Sequence, residues 1–518
     1  MKKLFTLVAF ALSALSMMAK EYTCPLLVDV EGTAITATQT VDVTKQSNGK
    51  YTLSLKNFMM GTQPVGNIEV NDVDAVTCGT TECLSTQQTI QISAGDDANT
   101  KWIGPGLGDV PIFLKGELVG DTFNAILSIS MNDPDAPLNV RVELGDVKGI
   151  GQIPNSDFEE FHQEKYISTK EDQANHWHSF LNCSGIWAGG AKTKHCWKSE
   201  DIRPGSTGKS SVEIKSRLAY GKSANGTITT GRIQAGSTEP TSTDNCSYLN
   251  LDNTDKDKNS DPYYTILNSK PDAIEVWVKY TKGLREKSNE DKVYATISAA
   301  ITDGTYYQDP TDKTYTNVVA TAKNDEIESK GQWEKITVPF NYVSNTVVPK
   351  AILVTISTCS VPGGGSLSDK DGEQDDMFID DLSLVYNANL TSLKFKGEEL
   401  TGEEGVYEAE YNGVVTASDI EVTTDSKTAY VSKTILPSED AVVAIINVIS
   451  NDLKTNNRYV LVIDGATTTG INKPTSVITP NGVQAIYNLA GQQVGSMTPG
   501  QVYIIKTTDG QTKKVIKK

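Results

Sequence analysis

Polar and apolar residues alternate with period two through most of this chain, a pattern that commits it to β-strands. Tyr51, Leu53 and Leu55 share a face directly after an Asn48-Gly49 pair. Asn-Gly is a strong hairpin signal, because both central positions of the tight turn need positive φ. After Gly120-Asp121 the same order returns, with Phe123, Ala125, Leu127 and Ile129 on one face. Leu138, Val140, Val142 and Leu144 repeat it, with Asn139, Arg141 and Glu143 opposite. Strands this regular over residues 20–149, spaced by turns, predict a closed antiparallel barrel or a sandwich.

The 518 residues exceed what one core supports, and about 150 residues per domain gives three or four units. A connector, Gly149 to Pro154, ends the first. Residues 152–388 then hold strands at Ala273–Tyr280, Val293–Ile301 and Ala351–Ile356, and close on Met377–Tyr386. Long loops of Asp, Asn, Ser, Gly and Thr separate them, as at the ends of a sandwich where binding sites are built. A smaller unit, 389–466, has alternating pairs at Leu393 and Phe395, Ile420 and Val422, and Leu461 and Ile463. Its apolar run Ala441–Ile449 is β-branched enough to read as a strand, and an immunoglobulin-like sandwich is the economical fold. A linker at Thr467–Gly470 precedes the last unit, 471–518. The fold class is therefore all-β.

Residues 1–19 read as a secretory leader: Lys2 and Lys3, an uncharged run from Leu4 to Met18, and the small Ala19. The run is shorter than the roughly 20 residues a spanning helix needs, and no later segment could cross a membrane. Cys24 sits in Tyr-Thr-Cys-Pro, which does not look like a lipid-attachment site. Losing Lys2 and Lys3 moves the formal charge from −18 to −20. A soluble chain this acidic should repel nucleic acid and anionic lipid. Seven cysteines are an odd number for an oxidising compartment. Cys78 with Cys83, and Cys183 with Cys196, are close enough in sequence to bridge small loops, although connectivity cannot be read from sequence.

Three resemblances sharpen these expectations. The stretch Gly49 to Phe58 and the late strand Gly120 to Ala125 resemble the bacterial calycin-like domains, which implies a β-barrel related in shape to lipocalins. Asn155-Ser156-Asp157-Phe158-Glu159, the stretch Gly331 to Phe340, and Phe378 to Leu384 resemble the carbohydrate metabolism domain of exported gut-type bacterial proteins. The same opening and closing strands look like those of jelly-roll carbohydrate-binding modules. That resemblance covers most of 152–388 and implies a substrate class more than a reaction. Finally, Ile486 to Val494, Val502 to Lys506 and the basic strand Lys513 to Lys518 resemble the C-terminal sorting domain of the type IX secretion system. It implies passage across the outer membrane to the cell surface or medium, with the periplasm as the alternative. In jelly-roll modules of this look, the early and late strands meet and can hold a structural calcium. Carried over here, its ligands are Glu159 and Asp381, with Asp157 and Asp380 beside them; no other cofactor is implied.

Chemistry-bearing residues are densest at His176-Trp177-His178, Cys183, Trp187 and His195-Cys196-Trp197. Three readings stay open for the His and Cys residues: a zinc site of no standard spacing, a disulfide-braced loop, or residues with no common role. The aromatics suggest a glycan, because a sugar's C–H face packs on an aromatic plane while its hydroxyls need placed polar groups. Trp177, Trp187 and Trp197 lie among Asn, Ser, Lys and Gly, and Tyr263, Tyr264, Tyr306 and Tyr307 lie in similarly polar loops. Trp277 falls in step with Glu275 and Lys279 rather than with Ile274, Val276 and Val278 and so takes the less apolar side of its strand, a candidate binding face, whereas Trp333 reads as core. The run Asp369, Asp371, Glu373, Asp375 and Asp376 lacks EF-hand spacing and reads as a solvated loop. No Gly-x-Ser-x-Gly, His-Glu-x-x-His or phosphate-cradling loop is present. The leading expectation is a surface glycan-binding protein. A glycoside hydrolase-like enzyme is one alternative. The other is a barrel that holds a small ligand or docks another surface protein.

Overall fold

The computed structural model describes residues 19–132, 137–166, 168–438 and 441–468, with the backbone of four short strands between Val483 and Ile516. The leader expected at 1–19 lies outside the described residues apart from Ala19. Two units divide the chain: residues 1–76, 82–146 and 475–518 form one, and residues 77–81 and 147–474 the other. Among the described residues no helix is long and apolar enough to cross a membrane.

The first unit is built on a closed eight-stranded barrel. Its strands are Ala19–Val30, Thr33–Lys45, Tyr51–Met60, Gln63–Cys78, Thr81–Ile90, Val110–Val119, Thr122–Met131 and Leu138–Leu144. They lie in sequence order, and the first pairs with the last, Val28 opposite Val142. Between the two folds the alternation allowed, closure wins, and it leaves no unpaired edge. The predicted inward residues Leu53, Phe123, Ala125, Val140 and Leu144 meet Val73, Leu84, Ile112 and Leu114 in one buried cluster. Gly66 is required where the ladder shifts register opposite Phe58. Its φ is +130°, and a Cβ there would stand 2.1 Å from the Ser93 carbonyl oxygen. The last four strands, Val483–Asn488, Gln493–Val494, Val502–Thr507 and Thr512–Ile516, form a sheet of their own.

The second unit opens with a large sandwich. One sheet runs in the order Cys196–Ser199, Ser211–Lys215, Asp376–Val385, Ala273–Thr281, Glu334–Pro339. The facing sheet runs Thr227–Thr229, Ala351–Ser357, Ala295–Thr302, Val318–Ile327, Asn341–Tyr342, with Thr265–Ile266 added beside Ala351–Ser357. Val276, Val278, Ile379 and Leu384 from the first meet Ile297, Ile301, Val354 and Ile356 from the second in one dry core. A small sheet, Arg232–Ala235, Asn245–Leu249 and Tyr307–Asp309, stands outside the second. A second, smaller sandwich follows. In it Leu390–Phe395 and Ile420–Thr424 pack on a sheet containing Ala441–Ile449 and Asn456–Asp464. The β-branched run at 441–449 is indeed a strand, with every residue from Val442 to Ile449 buried.

Two expectations are corrected here. None of the seven cysteines is in a disulfide, and all seven are buried. Cys183 packs with Ala191, Ile233 and Ala235, whereas Cys196 belongs to the main sandwich core. A short separation in sequence therefore does not bring their Cβ atoms to bridging geometry. Cys78 ends one barrel strand and Cys83 lies in the next, and that bridge is not formed either. The acidic run at 369–376 is not simply solvated. The Asp375 side chain is fully buried, ion-paired with Arg285, and accepts the Gly283 and Ser366 amides at 2.9 and 2.8 Å.

Candidate functional site

The outward face of the second sheet of the large sandwich is the floor of a cavity of about 360 Å³. Period two makes that floor polar. Ala295, Ile297, Ala299 and Ile301 point into the core, so Thr296 and Ser298 point out. Ile352, Val354 and Ile356 likewise leave Thr355 and Ser357 facing the cavity. Two carboxylates are tethered to these hydroxyls. Thr296 Oγ1 donates to Asp325 Oδ1 at 2.8 Å, and Ser298 Oγ donates to Asp309 Oδ2. Lys323 Nζ lies 2.9 Å from Asp325. Asn225 shapes one wall by donating to the Cys359 and Val361 carbonyls, both at 3.0 Å. Burial pushes the Cys246 thiol in the wall up to about 12, and raises that of Cys359 as well. Both stay protonated, so neither is a ready nucleophile.

Trp187 and Tyr220 complete the cavity lining and remain exposed, at 39% and 51%. Their rings meet edge to face, with centroids 5.7 Å apart. The short helix Ala188–Ala191 makes this possible through Gly190, where a Cβ would stand 2.0 Å from the Tyr220 hydroxyl. Exposed aromatic surface above placed hydroxyls and carboxylates, in a concavity of this size, is the composition of a small-ligand site.

The other aromatics singled out from the sequence do not join them. Trp177 is fully buried against Phe158, ring centroids 5.1 Å apart, and is a core residue. Tyr263 is buried beneath the Arg232 guanidinium, 4.2 Å from its ring. Tyr264 and Tyr307 belong to a buried cluster with Leu249 and Leu353. Polar neighbours in sequence misled in these four cases, because each ring packs against residues far from it in the chain. Tyr306 is half-exposed but stacks on Tyr248 and donates to Gln308 Oε1 at 2.8 Å. Trp277 does take the outward side of its strand, where Arg203 lies 5.3 Å above the ring. Trp197 has Lys194 and Lys215 within 5.1 and 5.5 Å of its ring. Trp333 is not core: its indole N–H donates to Asp201 at 3.0 Å and its ring meets Phe378. These outer rings already carry cations or ring partners, which leaves Trp187 as the sequence-derived aromatic that lines the cavity.

The expected calcium ligands have protein partners instead. Glu159 Oε1 accepts the Lys209 and Ser210 amides at 2.7 and 2.9 Å. Asp381 pairs with the Arg203 guanidinium, and Asp380 accepts the Arg203 amide at 2.9 Å. Asp157 is exposed. Arg203 therefore supplies beside Asp381 the positive charge expected of the ion. Burial raises Asp380 to about 6. Of the His and Cys residues in the dense stretch, His195 is buried against Phe180 and held down to about 3 by desolvation, so it is neutral. Sequence reasoning missed Tyr220, Asp309 and Asp325. Their only signal was tertiary, since three separate elements carry them.

Comparison with known proteins agrees with the barrel. Residues 18–144 match the calycin-like beta-barrel domain. The calycin-like domain thus accounts for the first barrel and leaves the cavity-bearing sandwich outside the match. No curated protein matches the chain. Two solved structures are similar to it, each described as a candidate glycoside hydrolase. One, from Bacteroides vulgatus ATCC 8482, is 17% identical over 44% of this chain and 96% of its own, with a TM-score of 0.31. The other, from Bacteroides thetaiotaomicron VPI-5482, is 12% identical over 60% of this chain and 88% of its own, also at 0.31. Likenesses at that TM-score carry no argument about activity.

Proposed function

We propose that this chain is an exported glycan-binding protein, displayed at the outer-membrane surface or released, whose large sandwich takes a sugar in the cavity beneath Trp187 and Tyr220. The observation that carries the reading is the cavity itself: an exposed indole at its edge and a floor of hydroxyls with two tethered carboxylates. A sugar ring can lay its C–H face on Trp187 while its hydroxyls bond to Asp309, Asp325 and Lys323. Export rests on the charged-then-apolar leader and the sorting-like tail. The test is a glycan array on the full-length mature protein, followed by calorimetry on any hit with Trp187→Ala. Selective binding that the substitution abolishes supports the reading, and a blank array from folded protein removes it.

Catalysis is a second reading with a specific motive. Thr296 and Ser298 are two residues apart on one strand face, so the carboxylates they hold stand on the same wall. Glycoside hydrolysis uses such a pair. Asp309→Asn and Asp325→Asn would then abolish reducing-end release from a bound polysaccharide, whereas a pure binding protein releases none.

A further inference from the structure

Outside the cavity, the strand Phe161–Tyr166 places His162 and Glu164 two residues apart and so on one face. A loop carrying Asp257 crosses that face. Asp257 commits Oδ1 to the Asn259 and Asp261 amides, at 2.9 and 2.8 Å. Its Oδ2 is left 3.5 Å from His162 Nε2, and Glu164 Oε2 stands 3.7 Å from the same nitrogen. One ligand atom from each residue lies within 4.8 Å of the other two. The three side chains are 9%, 7% and 0% exposed. His162 Nε2, Glu164 Oε2 and Asp257 Oδ2 are all buried without a hydrogen-bond partner.

Three orphaned polar atoms this close together need an explanation, because a buried polar group left without a partner loses its hydration and gains nothing in return. The hydrogen-bond network sharpens it. His162 Nδ1 is 3.0 Å from Asn175 Oδ1, whose amide nitrogen turns to Glu160. Nδ1 therefore carries a proton, and with the ring neutral the Nε2 lone pair faces two carboxylate oxygens. That arrangement is repulsive unless a positive charge sits among them. His178, 3.7 Å from Asp257 Oδ2 through Nδ1, is already satisfied: Nε2 donates to the Pro262 carbonyl at 3.1 Å and Nδ1 accepts the Asn182 side-chain amide at 3.2 Å. A ring N–H anchored on a carbonyl or amide oxygen, with the other nitrogen free to ligate as in His162, is how metal-binding histidines are oriented. The spacing agrees as well. Ligands at about 2.1 Å from a tetrahedral zinc stand roughly 3.4 Å from one another, while a direct hydrogen bond needs about 3 Å.

We propose that His162, Glu164 and Asp257 form a three-ligand site for a divalent transition metal of the zinc class, with the fourth position open to water. The imidazole nitrogen in the set points away from calcium and magnesium, which take oxygen ligands. The competing explanation is a protonated His162 bridging the two carboxylates, and the test separates the two. Untagged full-length mature protein is stripped with chelator, dialysed and titrated with zinc chloride by calorimetry. Binding of one equivalent with a rise in Tm is expected, weakened at least tenfold in Asp257→Asn and in His162→Gln. Cobalt(II) added to the stripped wild type should show a visible d–d band of tetrahedral strength, which needs no variant to fold. Absence of saturable zinc binding with no cobalt band overturns the proposal. So does equal affinity in a folded His162→Gln protein.

Discussion

The Tyr220 hydroxyl donates to the Trp187 carbonyl at 3.2 Å, and the two rings meet at 81°. One residue thus holds the other's backbone while sharing its face of the cavity. Trp187→Ala should weaken glycan affinity by about tenfold or more, because truncating a central aromatic anchor costs over 1 kcal/mol. Tyr220→Phe keeps the ring and loses the tether, so a smaller loss is expected. Calorimetry on one glycan with both variants checks the order; equal affinity for all three proteins would sink it.

Trp177, ten residues earlier, should behave oppositely. It is among the largest fully buried side chains, so Trp177→Ala should cost about 3–5 kcal/mol of stability. Urea unfolding reads this as a lower midpoint, and a change within 1 kcal/mol would place Trp177 outside the core.

Arg285 and Asp375 are 4% and 0% exposed. Removing one partner strands a buried charge, and Arg285→Ala should destabilise by about 3–5 kcal/mol. The double variant Arg285→Met with Asp375→Asn leaves no unpaired charge and should lose less. If the double variant is the weaker protein in thermal unfolding, the pair is held by its backbone hydrogen bonds and not by charge.

Burial and the Glu213 carboxylate raise Asp376 to about 7. A carboxylate with a raised folded-state pKa holds its proton more tightly folded than unfolded. Its stabilising effect is therefore full below about pH 4 and lost as pH rises toward about 7. Glu213→Gln removes the facing like charge and should flatten the fall of Tm across that window, by on the order of 1 kcal/mol. Calorimetric scans from pH 4 to pH 8 would show it; an unchanged slope would mean that desolvation alone sets the shift.

Much of the fold was legible because strand periodicity is local. The alternation at 51–55, 123–129 and 138–144 lies in the chain itself, and so does the β-branched run at 441–449. The sites were less so. Trp177, Trp187 and Trp197 sit at equal spacing among similar neighbours, yet one is core, one lines the cavity and one lies under two lysines. His162 and Glu164 had a readable signal, two residues apart on a strand, but their partner Asp257 lies more than ninety positions away.

By itself the sequence determined the all-β class, the barrel strands and which side of each strand is apolar, since these follow from period two and turn chemistry. Alternation alone left barrel or sandwich open, and the resemblance at Gly49 to Phe58 already implied the barrel; only the tertiary structure decided which aromatics stay exposed and which carboxylates share a wall or a metal-like cluster. Those outcomes depend on which loop crosses which sheet. That choice is set by burial summed over residues far apart, such as Ile297 with Val278 or Asp257 with His162, and no local window contains it.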